Sequence, residues 1–367
     1  MPTLAETSRQ IFTLPREAGT AEAAAARELV AAHLRGLGYT VVFQKFTFAP
    51  SSLRAFPVFG DGLGLLALIL FPLLGTSSVP AWSALAAWTG GLAATAIVAA
   101  GVGLGWVPFG EPIREDANLI ATRGDARPRR WIVAHLDSKA QAHSMAGRLI
   151  AVWISLVAIA AISFMTALRL SGPIAPVWLG LGGGTALLAG FLARKGRLRG
   201  RSLGARDNGT GVVAALAAAE AAPASGLGIL ITGAEEFGLV GARVFARLTP
   251  DLQEMEFVNV DTVDQEGMLY LVSHDGRGQR LARSIEPELA GVGVPLRHRR
   301  LPLGIFVDSA PLSQAGAPSI TIGRLTWGTL RRIHTAADTP GDLSLDTAVQ
   351  VGKAVARTSI DVSIGAR

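Results

Sequence analysis

The chain has 367 residues, of which 50% are hydrophobic and 17% charged, with 43 glycines, no cysteine and a formal charge of +6. A mean hydropathy of +0.39 excludes a disordered chain, and the missing cysteine excludes a disulfide scaffold or a thiolate zinc finger. Soluble domains carry roughly 25% charged residues, so the basic excess points to nucleic acid or a membrane surface as partner, depending on where it sits.

In chain order, residues 21 to 37 are Ala-rich with Leu29, Val30, Leu34 and Leu37 at helical spacing, and Gly38 is a stop signal. Thr40-Val-Val-Phe43 reads as a strand. Residues 62 to 110 then run for 49 positions without a formal charge. One membrane span needs roughly 20 apolar residues, so this run fits two spans around the turn Gly75–Pro80, with Pro72 inside the first. Trp131–Ala134 is a short apolar strand. Two further uncharged runs follow, 149–168 and 170–193, around Ser171-Gly172-Pro173. Core helices of a soluble protein normally show one polar face, and these four show none. The Gly-rich stretches Gly101–Gly105 and Gly180–Gly184 lie inside apolar runs, where small residues allow close helix packing rather than phosphate binding. Beyond residue 195, strands are expected at Gly228–Thr232, Phe257–Val260, Met268–Val272 and Ser319–Ile322. Helices are expected between and after them, at 209–222, 238–248, 276–290 and 344–363.

This alternation predicts an α/β fold, a mostly parallel mixed sheet flanked by helices. Two transmembrane helical hairpins interrupt it as insertions. The expected division is 1–57, 107–146 and 195–367 for the α/β domain, 58–106 for the first hairpin and 147–194 for the second. Arg194, Lys195, Arg197, Arg199, Arg201 and Arg206 follow the fourth span directly. Lys/Arg excess marks the cytoplasmic side, so both termini, segment 107–148 and everything after 195 are expected in the cytoplasm of an integral membrane protein, in a bacterial inner membrane. Anionic headgroups account for the basic run. It has no interleaved aromatics, so no nucleic acid partner is expected. The N-terminus has no apolar signal segment.

In such sheets, sites lie at the carboxyl ends of strands. His135-Leu-Asp137-Ser138 follows the run Trp131–Ala134, Glu235-Glu236 follows Gly228–Ala234, and Asp261 follows Phe257–Val260. Asp207 stands in Ala205-Arg-Asp-Asn-Gly-Thr-Gly211 just before a helix, and His334 in Ile333-His-Thr-Ala-Ala-Asp338-Thr-Pro340. Carboxylate oxygen and imidazole nitrogen suit borderline and hard cations. Two metals roughly 4 Å apart can hold an attacking water and a carbonyl oxygen together. His135, Asp207, Glu236, Asp261 and His334 can supply ligands, and Glu235 a free base. Asp137 can accept the imidazole N–H of His135 that faces away from the metal. Singly, each acid reads as a helix cap or solvated loop charge; the joint pattern at strand ends is what points to a site. His33, His143, His274 and His298 read as structural or surface residues.

The ordered motifs His135-x-Asp137-Ser138, Ala205-x-Asp207-Asn-x-x-Gly211, Glu235-Glu236-x-Gly-Leu-x-Gly241, Asn259-x-Asp261 and His334-Thr-x-x-Asp338-Thr resemble the M28 family of zinc peptidases. The resemblance covers nearly all the polar chain, including Arg16 through Phe46, and neither hairpin. It implies two zinc ions bridged by Asp207, one completed by His135 and Asp261 and the other by Glu236 and His334. It implies Glu235 as the general base that deprotonates the attacking water and passes the proton to the leaving amine. Asp308, in Phe306-Val-Asp-Ser-Ala-Pro-Leu312, resembles the family's acidic substrate-site segment. The implied activity is that of a membrane-anchored exopeptidase, first an aminopeptidase, acting on peptide substrates. The alternatives are a one-zinc glutaminyl cyclase and a non-catalytic receptor of the same fold. The hairpins can anchor the chain, contribute a homodimer contact or guide a membrane-derived peptide. The chain departs from the family pattern in the 72 positions between His135 and Asp207, where a hairpin intervenes. It also departs in having neither tyrosine, Tyr39 or Tyr270, at the family's usual position for stabilising the oxyanion.

Overall fold

The computed structural model describes residues 2–107, 112–124, 127–222, 226–302 and 304–358. In chain order the elements are α1 (Leu4–Ile11), α2 (Ala21–Gly36), β1 (Thr40–Phe48), α3 (Ala55–Gly75), α4 (Ala81–Gly103), β2 (Arg114–Thr122), β3 (Arg130–His135), α5 (Met145–Leu168) and α6 (Pro176–Arg194). There follow α7 (Thr210–Ala221), β4 (Leu227–Thr232), α8 (Val240–Leu248), β5 (Glu256–Val263), β6 (Met268–Ser273), α9 (Gly276–Ala290), β7 (Leu296–Arg299), α10 (Ser309–Gln314), β8 (Ser319–Leu325), α11 (Trp327–Arg332) and α12 (Asp346–Arg357). The chain divides into two units, each discontinuous in sequence.

The first unit comprises Met1–Phe48, Ile113–Ala140 and Gly200–Arg367. Among the described residues its strands form one eight-stranded sheet in the order β1-β2-β4-β3-β5-β8-β6-β7. β4, β3, β5 and β8 run parallel at the centre, β1 and β2 are antiparallel on one side, and β6 is antiparallel to β8 on the other. The sheet is therefore mixed with a parallel centre, as the alternation of elements predicts. β3 and β4 are buried along their whole length, which is why they read as continuous apolar runs. α7 is buried from Thr210 to Ala219 and packs its alanines and valines into the main core with Ile132, Ile231, Val258 and Ile320.

Several elements of this unit differ from expectation, and β7, α10 and α11 are among those the sequence did not predict. β2 was not expected, because Arg114, Glu115, Asp116 and Asn118 break its hydrophobic pattern. It forms because those groups find partners: Asp116 pairs with the buried Arg27 and accepts the Ala117 N–H. α1 was also missed, although Thr3 and Glu6 make a reciprocal capping box at its start. The helix expected at 344–363 is observed as α12 to Arg357, and its last expected residues, 359–363, lie outside the described residues.

The second unit comprises Ala49–Pro112 and Gln141–Arg199. Its helices α3, α4, α5 and α6 are each long and apolar enough to cross a membrane. They form two hairpins, with turns at 76–80 and 172–175, where Gly75–Pro80 and Ser171-Gly172-Pro173 were expected. α3 begins earlier than the uncharged run and carries Asp61 inside it, where Arg194 at the end of α6 lies 3.3 Å away. α3 continues through Pro72, in its last turn. Small residues set the packing of α3 against α6. A Cβ added at Gly183 would lie 1.5 Å from the Phe71 ring, and one at Gly190 2.8 Å from the Gly60 carbonyl oxygen. Large apolar side chains such as Ile69, Ile97, Trp153 and Phe191 point outward and stay exposed. That distribution inverts the one in a water-soluble bundle.

Candidate active site

The parallel strands at the centre of the sheet deliver their chemistry to their carboxyl ends. His135 is the last residue of β3, Asp261 lies near the end of β5, and Gly233-Ala234 lead from β4 to Glu235 and Glu236. Asp207 sits in the irregular helical turn Ala205–Gly209 before α7, and His334 follows α11. These six side chains converge. His135 Nε2 lies 3.2 Å from Asp207 Oδ1 and 3.7 Å from Asp261 Oδ1. His334 Nε2 lies 3.0 Å from Asp207 Oδ2 and 3.4 Å from Glu236 Oε1. Each oxygen of Asp207 thus faces a different histidine. Two triads, His135–Glu235–Asp261 and Asp207–Glu236–His334, each bring one ligand atom per residue within 4.8 Å of the others.

Buried polar groups hold the loops in this arrangement. The carboxylate of Asp137 accepts the backbone N–H of Glu235 at 3.0 Å and of Glu236 at 3.1 Å. The carboxylate of Asp338 accepts those of Arg206 and Asp207 at 2.9 and 3.1 Å. Each therefore clamps a two-residue stretch that presents site side chains. Asn208 Oδ1 accepts the N–H groups of Gly211 and Thr262, and its Nδ2 donates to the Val260 carbonyl, which ties the Asp207 turn to the end of β5. Asn118 on β2 donates to the Gly241 carbonyl and accepts the Gly233 N–H across the Glu235–Glu236 loop. Position 241 must be glycine for this approach, since a Cβ there would lie 2.3 Å from Asn118 Oδ1. Arg16, fully buried, donates to the carbonyls of Leu136, Leu203 and Gly204 and so joins the His135 and Asp207 loops. Ala234, Thr262 and His334 adopt left-handed backbone at φ 52, 56 and 64°, conformations that persist where surrounding contacts over-determine them.

Asp137 differs from expectation in how it meets His135. Its backbone carbonyl, not its carboxylate, is the near neighbour of Nδ1, at 3.0 Å against 3.8 Å. The carboxylate is turned away because two backbone N–H groups of the Glu235–Glu236 loop compete for it. Asp308 is fully buried: Thr232 Oγ1 donates to its Oδ2, while its Oδ1 has no hydrogen-bond partner. Lys139, which carried no sequence signal beyond its place after Ser138, is buried here with its Nζ 2.5 Å from Glu236 Oε2.

The electrostatics follow from burying many acids together. Burial and the carboxylates of Glu236, Asp308 and Asp261 outweigh His135 and hold the Glu235 pKa well above the ordinary value. Burial also raises Asp137 and Asp338 to about 6 and Asp308 to about 7. Burial opposes ionisation of Asp207 too, yet the imidazoles of His135 and His334 hold its carboxyl far below the usual range. His135 is raised well above its ordinary value, burial being overcome by Glu235, Asp207 and Asp261.

This donor set fits a divalent metal. Glu236 Oε1, the oxygen that faces His334 Nε2, is buried without a hydrogen-bond partner, and a buried polar atom left unpaired is costly. Three carboxylates and two imidazoles match the ligand types zinc takes in catalytic sites.

Comparison with known proteins agrees. The profile described as "Peptidase family M28" matches residues 118–359. The fold is similar to an aminopeptidase from Aneurinibacillus sp. strain AM-1, at 17% identity and TM-score 0.56, covering 97% of this chain and 93% of that one. It is similar to Fimbriiglobus ruber glutaminyl cyclase at 16% identity and TM-score 0.56, covering 96% and 93%. It is also similar to BSAP, a zinc aminopeptidase from Bacillus subtilis, at 16% identity and TM-score 0.55, covering 96% and 93%. No curated protein sequence matches the chain.

Proposed function

The chain belongs to peptidase family M28, and on that premise we propose that it is a membrane-anchored, zinc-dependent aminopeptidase. The observation that carries this reading is Asp207, whose two carboxylate oxygens face His135 at 3.2 Å and His334 at 3.0 Å. A carboxylate in that position can bridge two ions. His135 and Asp261 would complete one position, Glu236 and His334 the other. Zinc bound there supplies Lewis acidity toward the scissile carbonyl and makes water more acidic.

The chain's own residues handle the proton. Glu235, beside His135 and Asp261, can take a proton from the attacking water and pass it to the leaving amine. Asp137 keeps Glu235 and Glu236 in register through their backbone N–H groups. Asp308, holding Thr232 at the end of β4, is assigned to the wall of the substrate site.

The four apolar helices are read as membrane spans, with the hairpins at 58–106 and 147–194 and the peptidase domain formed by 1–57, 107–146 and 195–367. The basic residues 194–206 support a peptidase domain on the cytoplasmic side, in a bacterial inner membrane. A C-terminal reporter active only outside the cytoplasm would overturn that orientation.

A second reading is glutaminyl cyclisation at one zinc. It is favoured by the compactness of the Asp207–Glu236–His334 triad, an Asp/Glu/His set sufficient for a single ion. Mass spectrometry of products from a peptide panel separates the two. Release of the N-terminal residue from unblocked peptides supports the aminopeptidase. Loss of ammonia from peptides beginning with Gln, without chain shortening, supports the cyclase.

A further inference from the structure

Lys139 stands immediately after His135-Leu-Asp-Ser138, in the buried stretch that follows β3. Its side chain is 2% exposed, and Nζ lies 2.5 Å from Glu236 Oε2. The other oxygen, Oε1, is the one that faces His334 Nε2 at 3.4 Å and has no hydrogen-bond partner. Glu236 is therefore divided between an ammonium on one oxygen and a ligating position on the other. No such cation is found at the other position: among the described residues, the ion pairs of Asp207 and Asp261 are with histidines alone, and Asp261 also accepts the Thr262 hydroxyl.

We propose that Lys139 makes the two metal positions unequal, weakening zinc binding at Asp207–Glu236–His334 relative to His135–Asp207–Asp261. The inference rests on the two-zinc reading above. Three physical effects act in the same direction. An ammonium on Oε2 draws charge from the carboxylate and makes Oε1 a poorer donor. A buried ammonium and a dication held by the same carboxylate repel each other with little solvent screening. Before an ion enters, Lys139 already compensates Glu236, so the empty position is less unfavourable than one holding an unpaired buried carboxylate. The chain then holds one ion firmly and exchanges the other. One effect opposes these: a donor on Oε2 also orients Glu236, and loss of such outer hydrogen bonds usually weakens metal binding. Lys139 is thus a positioning residue whose charge and hydrogen bond act oppositely, and separating them is the test.

Zinc titration of chelator-stripped, full-length protein in detergent reads the two steps, by calorimetry and by metal analysis after desalting. Wild-type protein is expected to bind two ions with affinities at least about tenfold apart. Lys139→Gln, which keeps a donor without the charge, should tighten the weaker step by about tenfold and leave the tighter step unchanged. Lys139→Met, without either, should tighten it less. The unchanged tight step also reports that the variants are folded. A weaker step that stays the same or weakens in Lys139→Gln overturns the inference while leaving the two-zinc site intact. A wild-type protein that binds no zinc, or a single ion whose stoichiometry both variants leave at one, overturns the two-zinc reading and the inference with it.

Discussion

Two buried arginines show how differently the two units use the same device. In the peptidase unit, Arg16 donates to the carbonyls of Leu136, Leu203 and Gly204, and burial lowers its pKa to about 10. In the helical unit, Arg169 donates to the carbonyls of Leu73, Thr76 and Val79, pinning the turn between α3 and α4. Both satisfy loop carbonyls that would otherwise be buried unpaired. Around Arg16, however, lies a cluster of buried acids on loops with left-handed backbone. Around Arg169 lie uncharged helices that meet through glycine and alanine. The peptidase unit concentrates unfavourable electrostatics where chemistry needs them; the helical unit holds few charges, such as Arg169 and the Asp61–Arg194 pair, and depends mainly on close packing. Perturbing each kind of interaction should therefore give a different kind of defect.

The largest effect is expected at Glu235. Glu235→Gln should lower turnover by about 10²–10⁴-fold, the span typical of a lost general base, with bound zinc unchanged. Steady-state rates and metal analysis on the same sample check this. Next comes Arg16→Met, which leaves several buried carbonyls without donors. Loss of about 3 kcal/mol or more is expected, seen as a lower unfolding temperature.

Asp338 gives a pH-dependent signature. Its folded carboxyl titrates at about 6 against an ordinary 3.8, because it is buried. The folded state holds that proton more tightly, so Asp338 favours folding at low pH and this contribution is lost as pH rises from about 4 to 6. Asp338→Asn removes the titration. Chelator-treated wild-type protein should lose about 2 kcal/mol more than the variant across that window, as followed by thermal unfolding.

The smallest effect belongs to the helical unit. Gly183→Leu drives a side chain into the Phe71 ring and should cost about 1–3 kcal/mol of packing. Hydrolysis of a short soluble peptide should be unchanged at a temperature where both proteins are folded. A loss of turnover as large as that of Glu235→Gln would break the contrast between the units.

Much of this was legible because the signals are local. Uncharged runs identify apolar helices without any tertiary information. Ligand candidates at strand ends follow from the alternation of elements, and all six side chains read as ligand or base do converge. What escaped was set by contacts between distant segments. β2 hides behind Asp116 and Asn118, whose burial depends on Arg27 and on the Gly233 and Gly241 loop. The clamp made by Asp137 depends on backbone N–H groups 98 and 99 positions away, so its carboxylate was assigned to its near neighbour His135 instead. Lys139 looks like an ordinary loop lysine until Glu236 is placed beside it. Asp308 carried a family resemblance but no local sign that it would be buried completely.

Zinc dependence is the property on which the proposed peptidase activity stands or falls. The most direct test is hydrolysis of unblocked aminoacyl-anilides by the purified full-length protein before chelation, after chelation and after zinc is restored. A zinc-dependent peptidase should show turnover that a chelator abolishes and zinc returns. Turnover that survives complete removal of metal would contradict zinc dependence.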